Sequence, residues 1–298
     1  MSRTVAWCLL AALLVAANSP GCPAQAQSVD LKAGKKVYDQ VCLECHGKKG
    51  GGDGEKAKRL GFVSRDFSLG VFKCRCTPSG ALPSDDDLMR TVANGLPGSP
   101  MSGNASELSE AERRAVVEYV KTFSPRFAAE LPPACLPIPE PPPADDLLIA
   151  EGQQIYRLLS CGSCHGARGA ADGPAAEGLT DDWGDPIRVH DFARRGKFKC
   201  GGEPRDLYRT LHTGLTGTPM PSYEMAFDIP SDGVELGALR SALGDQAVEE
   251  VAAYVARQPS SAELEMMTAA QRQALIEHRT WALVHFVKSL APAGGGED

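Results

Sequence analysis

Cys42, Cys45 and His46 stand in the run CLECHG, and Cys161, Cys164 and His165 stand in CGSCHG. Two thiols three positions apart with an imidazole at the next position suit a short list of chemistries. A dithiol redox motif uses the same cysteine spacing but has no need of the histidine. A zinc site calls for a second ligand pair, such as two histidines a turn apart, and neither copy is followed by one. Covalent haem attachment uses all three residues. The thiols form thioethers with the haem vinyls, and the adjacent histidine reaches the iron. Two copies, each trailed by glycine, favour this last reading. It places two covalently bound haem c groups on Cys42 and Cys45 and on Cys161 and Cys164, with His46 and His165 as axial ligands.

The segments that must position these residues recur with them. A helical pattern, LKAGKKVYDQVC, precedes the first motif, and LIAEGQQIYRLLSC precedes the second. Gly34 and Tyr38 answer Gly152 and Tyr156, with one extra residue before Cys161. After each histidine comes Asp-Gly, at Asp53-Gly54 and Asp172-Gly173. RDF and VFKC are then answered by HDF and KFKC, and DLMRTVANGLPGSPM aligns without a gap on DLYRTLHTGLTGTPM. Repetition of this order marks a duplicated unit. In the last pair, Asp87 and Asp206 are expected to open amphipathic helices that stop at Gly95 and Gly214. A proline-stiffened loop then presents Met101 or Met220, whose matched positions make them the candidate second axial ligands. Met89, Met225, Met266 and Met267 are read as packing residues, the common use of methionine. His190, His212, His278 and His285 have no counterpart in the other repeat and are read as structural, with His190 the alternative to Met220. Arg65, Arg90, Arg188, Arg209 and Trp183 lie near the expected pockets as candidate hydrogen-bond partners of haem propionates, and packing or solvated roles are expected for most of them.

Between the repeats, LPPACLPIPEPPPADD lacks the amide donors for helix or central strand and reads as a polyproline-like strap. It is expected to run along the surface and to let the two halves dock. At the other end, Arg3, an apolar run and the small residues Ala24 to Ala26 have the form of a secretory signal over 1–26. Cleavage after Ala26 is favoured over lipid anchoring at Cys22, because Ser-Pro-Gly is a poor lipidation context. No later run is long and apolar enough to insert in a membrane. Export to the periplasm suits the ten cysteines. Outside the signal and the motifs, Cys74, Cys76, Cys135 and Cys200 remain for disulfides whose pairing the sequence leaves open. One option joins Cys135 to Cys74 or Cys76. With 38 acidic against 31 basic residues the chain carries a net charge of −7, which argues against nucleic acid as partner.

Each half resembles a class I cytochrome c domain. Both have an N-terminal helix, CxxCHG, a Gly/Pro methionine loop and a closing helix, LSEAERRAVVEYVKTF in the first half and HRTWALVHFVKSL in the second. The resemblance implies an all-α fold of two tandem domains, 28–131 and 147–298, joined by a Pro-rich linker at 132–146. It implies His46/Met101 and His165/Met220 as axial pairs. The second half departs from the pattern by an insertion at about 223–277, in which LGDQAVEEVAAYVARQP reads as a rival closing helix. With both irons closed, the expected function is one-electron transfer between redox proteins. The chain would be a periplasmic carrier or the electron-transfer subunit of a respiratory oxidoreductase, peripherally associated with its complex. The alternative is an enzyme of the dihaem cytochrome c peroxidase type, which needs an open iron and a distal loop of a kind not seen here.

Overall fold

The structure, a computed structural model, describes residues 30–195 and 198–291. The expected signal, with Cys22, lies outside them. Among the described residues no strand forms, and two isolated bridges, Gly95 with Ser102 and Thr180 with Pro186, are the β contacts. The first half holds α1 (Leu31–Val37), α2 (Leu43–His46), α3 (Glu55–Leu60), α4 (Asp85–Asn94), α5 (Glu110–Lys121) and α6 (Arg126–Ala129). The second half holds α7 (Asp146–Leu158), α8 (Gly162–His165), α9 (Phe192–Arg195), α10 (Pro204–Thr213), α11 (Leu236–Leu243), α12 (Asp245–Val255), α13 (Ser261–Met266) and α14 (Ala269–Ser289).

Helix starts follow local chemistry. Asp30 caps α1 by accepting from the Lys32 and Ala33 amides, and Asp145 caps α7 through the Leu148 amide. Ser84 with Asp87 and Ser109 with Glu112 form reciprocal capping boxes. Asp87 is therefore the third residue of α4 and not its opening one. The helix begins at Asp85, just as α10 begins at Pro204, two residues ahead of Asp206. Both stop where expected, at Gly95 (φ 67°) and Gly214 (φ 64°), in the left-handed region that a side chain resists.

In each half the first helix crosses the closing helix where glycine removes the side chain. A Cβ on Gly34 would lie 2.1 Å from the Ala115 carbonyl oxygen, and one on Gly152 would lie 2.0 Å from that of Ala282. This settles which helix closes the second half. The helix that crosses α7 at its glycine is α14, while α12 rests on α7 beside it. The closing helix starts at Ala269, capped by Thr268, nine residues before the sequence pattern suggested. Its residues from Arg279 to Val287 are all buried, because α7, α10 and the inserted segment surround them. Arg279 donates to the Phe227 and Ile229 carbonyls (2.8 and 3.0 Å) and to Gln258 (3.0 Å), so the insertion wraps its own domain.

The halves meet on a covalent seam. Cys74 is bonded to Cys200, its own counterpart in the repeat, with Cα atoms 5.2 Å apart. Nearby, Arg75 is buried and donates through Nη2 to the Thr213 carbonyl (2.7 Å), and the Gly80 amide donates to Thr216 (3.3 Å). Arg65 lies over the Trp183 ring, 4.7 Å from its centre. The second disulfide, Cys76 to Cys135, ties down the strap, whose Leu136 amide donates to the Cys76 carbonyl (2.8 Å). Further along, Arg205 donates to the Ile138 carbonyl and pairs with Glu140, and His285 Nε2 donates to the Pro142 carbonyl (3.0 Å). The strap thus runs along the surface, fastened to both halves.

Two outcomes are expected. Gly152→Ala or Gly34→Ala drives a methyl into backbone and destabilises by about 1–3 kcal/mol or more. Gly237→Ala, inside α11 with nothing within 4 Å, is neutral or slightly stabilising. Thermal melts decide, and equal midpoints for all three would refute the crossing. Secondly, His212 is buried, stacks on Tyr208 at 4.5 Å, and donates to Thr280 Oγ1 (3.1 Å). Burial holds its pKa at about 4, below the ordinary value of 6.5. The unfolded chain binds this proton first, so the contribution of up to about 3 kcal/mol is present above pH 6.5 and lost as pH falls towards 4. Urea melts of His212→Gln should show a shallower acid slope over that window than the parent, and an identical slope would disprove the assignment.

Candidate functional site

The tyrosine preceding each cysteine pair fixes the turn that follows it. Tyr38 Oη donates to the Gly47 carbonyl and Tyr156 Oη to the Gly166 carbonyl, each at 2.7 Å and both buried. The single extra residue of the second half is absorbed just before the motif. In the first half α1 widens through a π-type turn, Tyr38–Cys42, and enters α2 without a break. In the second half α7 ends, and Ser160 takes a left-handed conformation (φ 54°) before Cys161. Both routes deliver the same product: a short helix carrying the second cysteine and the histidine.

Each histidine is oriented from behind. His46 Nδ1 lies 3.3 Å from the Arg65 carbonyl and His165 Nδ1 3.3 Å from the His190 carbonyl, positions that correspond in the repeat. A carbonyl only accepts, so Nδ1 carries the proton and the Nε2 lone pair is left to face away. Phe67 stacks on His46 at 4.4 Å and Phe192 on His165 at 4.5 Å, which prevents ring rotation. Desolvation lowers both imidazole pKa values, opposed by the carbonyl bond, and favours the neutral ligand form. Of the described cysteines, four are spent in disulfides, while Cys42, Cys45, Cys161 and Cys164 are free thiols. Burial raises the Cys42 pKa to about 11 and that of Cys161 to about 12, so neither acts as a thiolate nucleophile at neutral pH.

The methionine loops match bond for bond. The Leu96 amide donates to the Met101 carbonyl (2.9 Å) and the Leu215 amide to that of Met220 (3.0 Å). Ser99 and Thr218 hydroxyls each donate to the carbonyl that opens their loop, at 2.7 Å, and accept from the methionine amide at 3.3 Å. Tyr223, three residues past Met220, has its phenol pKa raised by burial and by the nearby Cys161 and Cys164 thiols, which places the loop's end beside the cysteine pair. Met101 and Met220 are half-buried, whereas Met225 and Met266 are exposed and not core fillers as expected, because both fall on the solvent side of the insertion. His190 supports His165 through its backbone, and its ring packs among Phe192 and Phe198. Sequence reasoning missed the two phenylalanines that stack on the histidines, although both stand at the same place in RDF and HDF.

The donor set fits a covalently held haem: paired thiols outside the disulfides, a neutral imidazole with its Nε2 free, and a thioether on a braced loop. Comparison with known proteins agrees. Residues 29–120 match the family model described as cytochrome c oxidase, cbb3-type, subunit III, and residues 149–259 match that described as cytochrome c. The second match ends after α12, short of the helix that crosses Gly152. No curated protein matches the chain. Among solved structures, a chain of the Kuenenia stuttgartiensis reducing HAO-like protein complex Kustc0457/Kustc0458 is 34% identical, with a TM-score of 0.68. The alignment covers 88% of this chain and 96% of that one. Fold and site together define a cytochrome c, a protein that transfers electrons through covalently bound haem. The chain belongs to the dihaem class I cytochromes c, with two such domains in tandem.

Replacing Tyr38 or Tyr156 with Phe strands a buried carbonyl and is expected to cost about 1–3 kcal/mol. Urea melts check this, and unchanged stability in both variants would show that the bonds hold nothing.

Proposed function

We propose that the chain works in the periplasm as a dihaem electron-transfer protein, serving as the electron-transfer subunit of an oxidoreductase complex. Cys42 and Cys45 would hold one haem by thioethers, with His46 and Met101 on its iron; Cys161, Cys164, His165 and Met220 would do the same for the second. When bound, the haem supplies a one-electron couple whose potential the axial ligands and burial set. The residues do the rest. The Arg65 and His190 carbonyls keep His46 and His165 in the tautomer that ligates through Nε2. Ser99 and Thr218 brace the loops so that each thioether sulfur stays in place. With Met101 and Met220 as second ligands neither iron would keep a position for a substrate, and the matched pair of braced methionine loops is the observation that carries the reading. Association with a larger complex is supported by the similarity over 96% of a chain from the reducing HAO-like protein complex. Among the described residues no helix is long and apolar enough to cross a membrane, which accords with an exported, peripherally bound subunit.

Pyridine haemochrome analysis should return two haems per chain, resistant to acid-acetone extraction. The oxidised protein should show the far-red methionine-to-iron band, and Met101→Ala and Met220→Ala should each remove part of it. A band that survives both substitutions would eliminate the ligand assignment. Steady hydrogen-peroxide consumption by the half-reduced protein, at about 1–1000 per second, would establish a peroxidase instead.

A further inference from the structure

Two additions, one in each half, break the match between the repeats at the seam. Arg65 follows His46 by 19 residues, whereas its counterpart His190 follows His165 by 25. The excess falls in the turn at 181–186, which carries Trp183. The first half is instead longer from Cys74 to Asp87 than the second from Cys200 to Asp206, and Arg75 and Gly80 stand in that stretch. Both additions reach the loop that ends at Met220. Arg75 Nη2 donates to the carbonyl of Thr213 (2.7 Å), the last residue of α10 before the loop. The Gly80 amide donates to Thr216 Oγ1 (3.3 Å), and the Asp182 amide donates to the Gly217 carbonyl (3.2 Å).

Trp183 is where this loop and the first half share a contact. A Cβ on Gly217 would lie 2.4 Å from the indole, so the ring packs on this glycine, and Val71 of the first half lies 3.5 Å from the same point. Arg65 covers the ring from the first half, 4.7 Å from its centre. Asp181, Asp182 and Asp185 of the turn, with Asp66, act on that guanidinium with attractive charge. The turn itself is stiff, since Asp181 Oδ1 accepts from the Trp183 and Asp185 amides at 3.1 Å each. The Met101 loop is held otherwise. Ser99 bonds within it, and Asn104 donates to the Ser102 carbonyl just past it (3.4 Å). Among the described residues no hydrogen bond crosses the seam to that loop.

Contacts behind a metal ligand set how firmly the metal holds it. We propose that the first half completes the second site, with Arg75, the Gly80 amide and the Arg65–Trp183 contact keeping the Met220 thioether in ligating position. Arg65 and Trp183 are then positioning residues, acting on Met220 through Gly217. Met101 is held from within its own half, so the two sites differ in how easily the methionine leaves. This rests on the reading that Met220 is an axial ligand.

Full-length holoprotein is titrated with imidazole, which competes with methionine for ferric iron, and the far-red methionine-to-iron band reports the exchange. A Met101→Ala background leaves the band to Met220 alone, and a Met220→Ala background leaves it to Met101. Trp183→Ala and Arg65→Gln should each raise imidazole affinity at the Met220 site about tenfold, the scale of one lost cation–π contact with its packing. Arg65→Gln leaves the backbone carbonyl on His46 in place. The Met101 site should change by less than about twofold. Trp183→Phe, which keeps an aromatic face, should stay near the parent, and Thr216→Val, which removes the acceptor of the Gly80 amide, should give a few-fold rise. Unchanged affinity at the Met220 site in Trp183→Ala and Arg65→Gln would overturn the proposal, as would equal rises at both sites. A lowered melting midpoint with affinity unmoved would show packing alone and likewise overturn it. A Met101→Ala background with no far-red band would instead overturn the assignment of Met220 as ligand, and the proposal with it.

Discussion

Everything in either half depends on a backbone contact made possible by a missing side chain. At Gly34 and at Gly152 one helix rests directly on a carbonyl of another, whose oxygen lies about 2 Å from where a Cβ would be. Close crossing of this kind fixes the relative height and rotation of the two helices. It therefore fixes where the tyrosine four residues later points. That tyrosine holds the carbonyl just after the histidine, and the histidine is turned by a second carbonyl nineteen or twenty-five residues further on. The site is rigid because each member is held by a backbone atom, which cannot change rotamer.

Tandem duplication left the two copies of this frame unequal. The first half closes with the twelve residues of α5. The second uses a helix of twenty-one residues and wraps it with an insertion clamped by Arg279 and by the Arg272–Asp228 pair. The stretch from Arg279 to Val287 of its closing helix is consequently buried, and Tyr208 packs against both His212 and the Trp281 of that helix. The seam includes the segments around Cys74 and Cys200. The disulfide joins equivalent residues, whereas Arg75 with Thr213, Gly80 with Thr216 and Arg65 with Trp183 join residues that do not correspond in the repeat.

Legibility in the sequence followed the same division. The cysteines and histidines of the candidate site could be proposed from sequence because thioether attachment would demand this fixed spacing. Met101 and Met220 could be proposed because the repeat places them identically, and their loops carry matching hydrogen bonds in the structure. The closing helix of the second half was named correctly as HRTWALVHFVKSL, but its start at Ala269 and its precedence over α12 were not legible, since nine consecutive buried residues leave no polar face to mark a period. α12, with its clear amphipathic stripe at Val248, Val251 and Val255, read as an equal candidate. Met225 and Met266 were misread because methionine is usually buried, and nothing local indicates that the insertion turns them outward. Disulfide pairing was open, as it is in any sequence. The symmetric bond had a signal nonetheless, in the correspondence of VFKC with KFKC. His285 gave none: an imidazole on an apolar helix reads as core, and its bond to the Pro142 carbonyl exists only because the strap folds back over it.

The two disulfides share a neighbourhood on one side and little on the other. Cys74 and Cys76 are separated by a single residue, but their partners lie at 135 and 200. A chain emerging from its N-terminus presents Cys135 while Cys200 is still to come, and for that interval either of the adjacent thiols can capture it. Capture by Cys74 leaves Cys76 facing Cys200, a crossed arrangement that ties the strap into the wrong side of the seam. Arg75, between the two cysteines in sequence, is anchored to carbonyls of both halves and so holds this segment in place once the seam has formed. The native pattern thus needs residues of both halves in place, because the bond from Cys74 joins them.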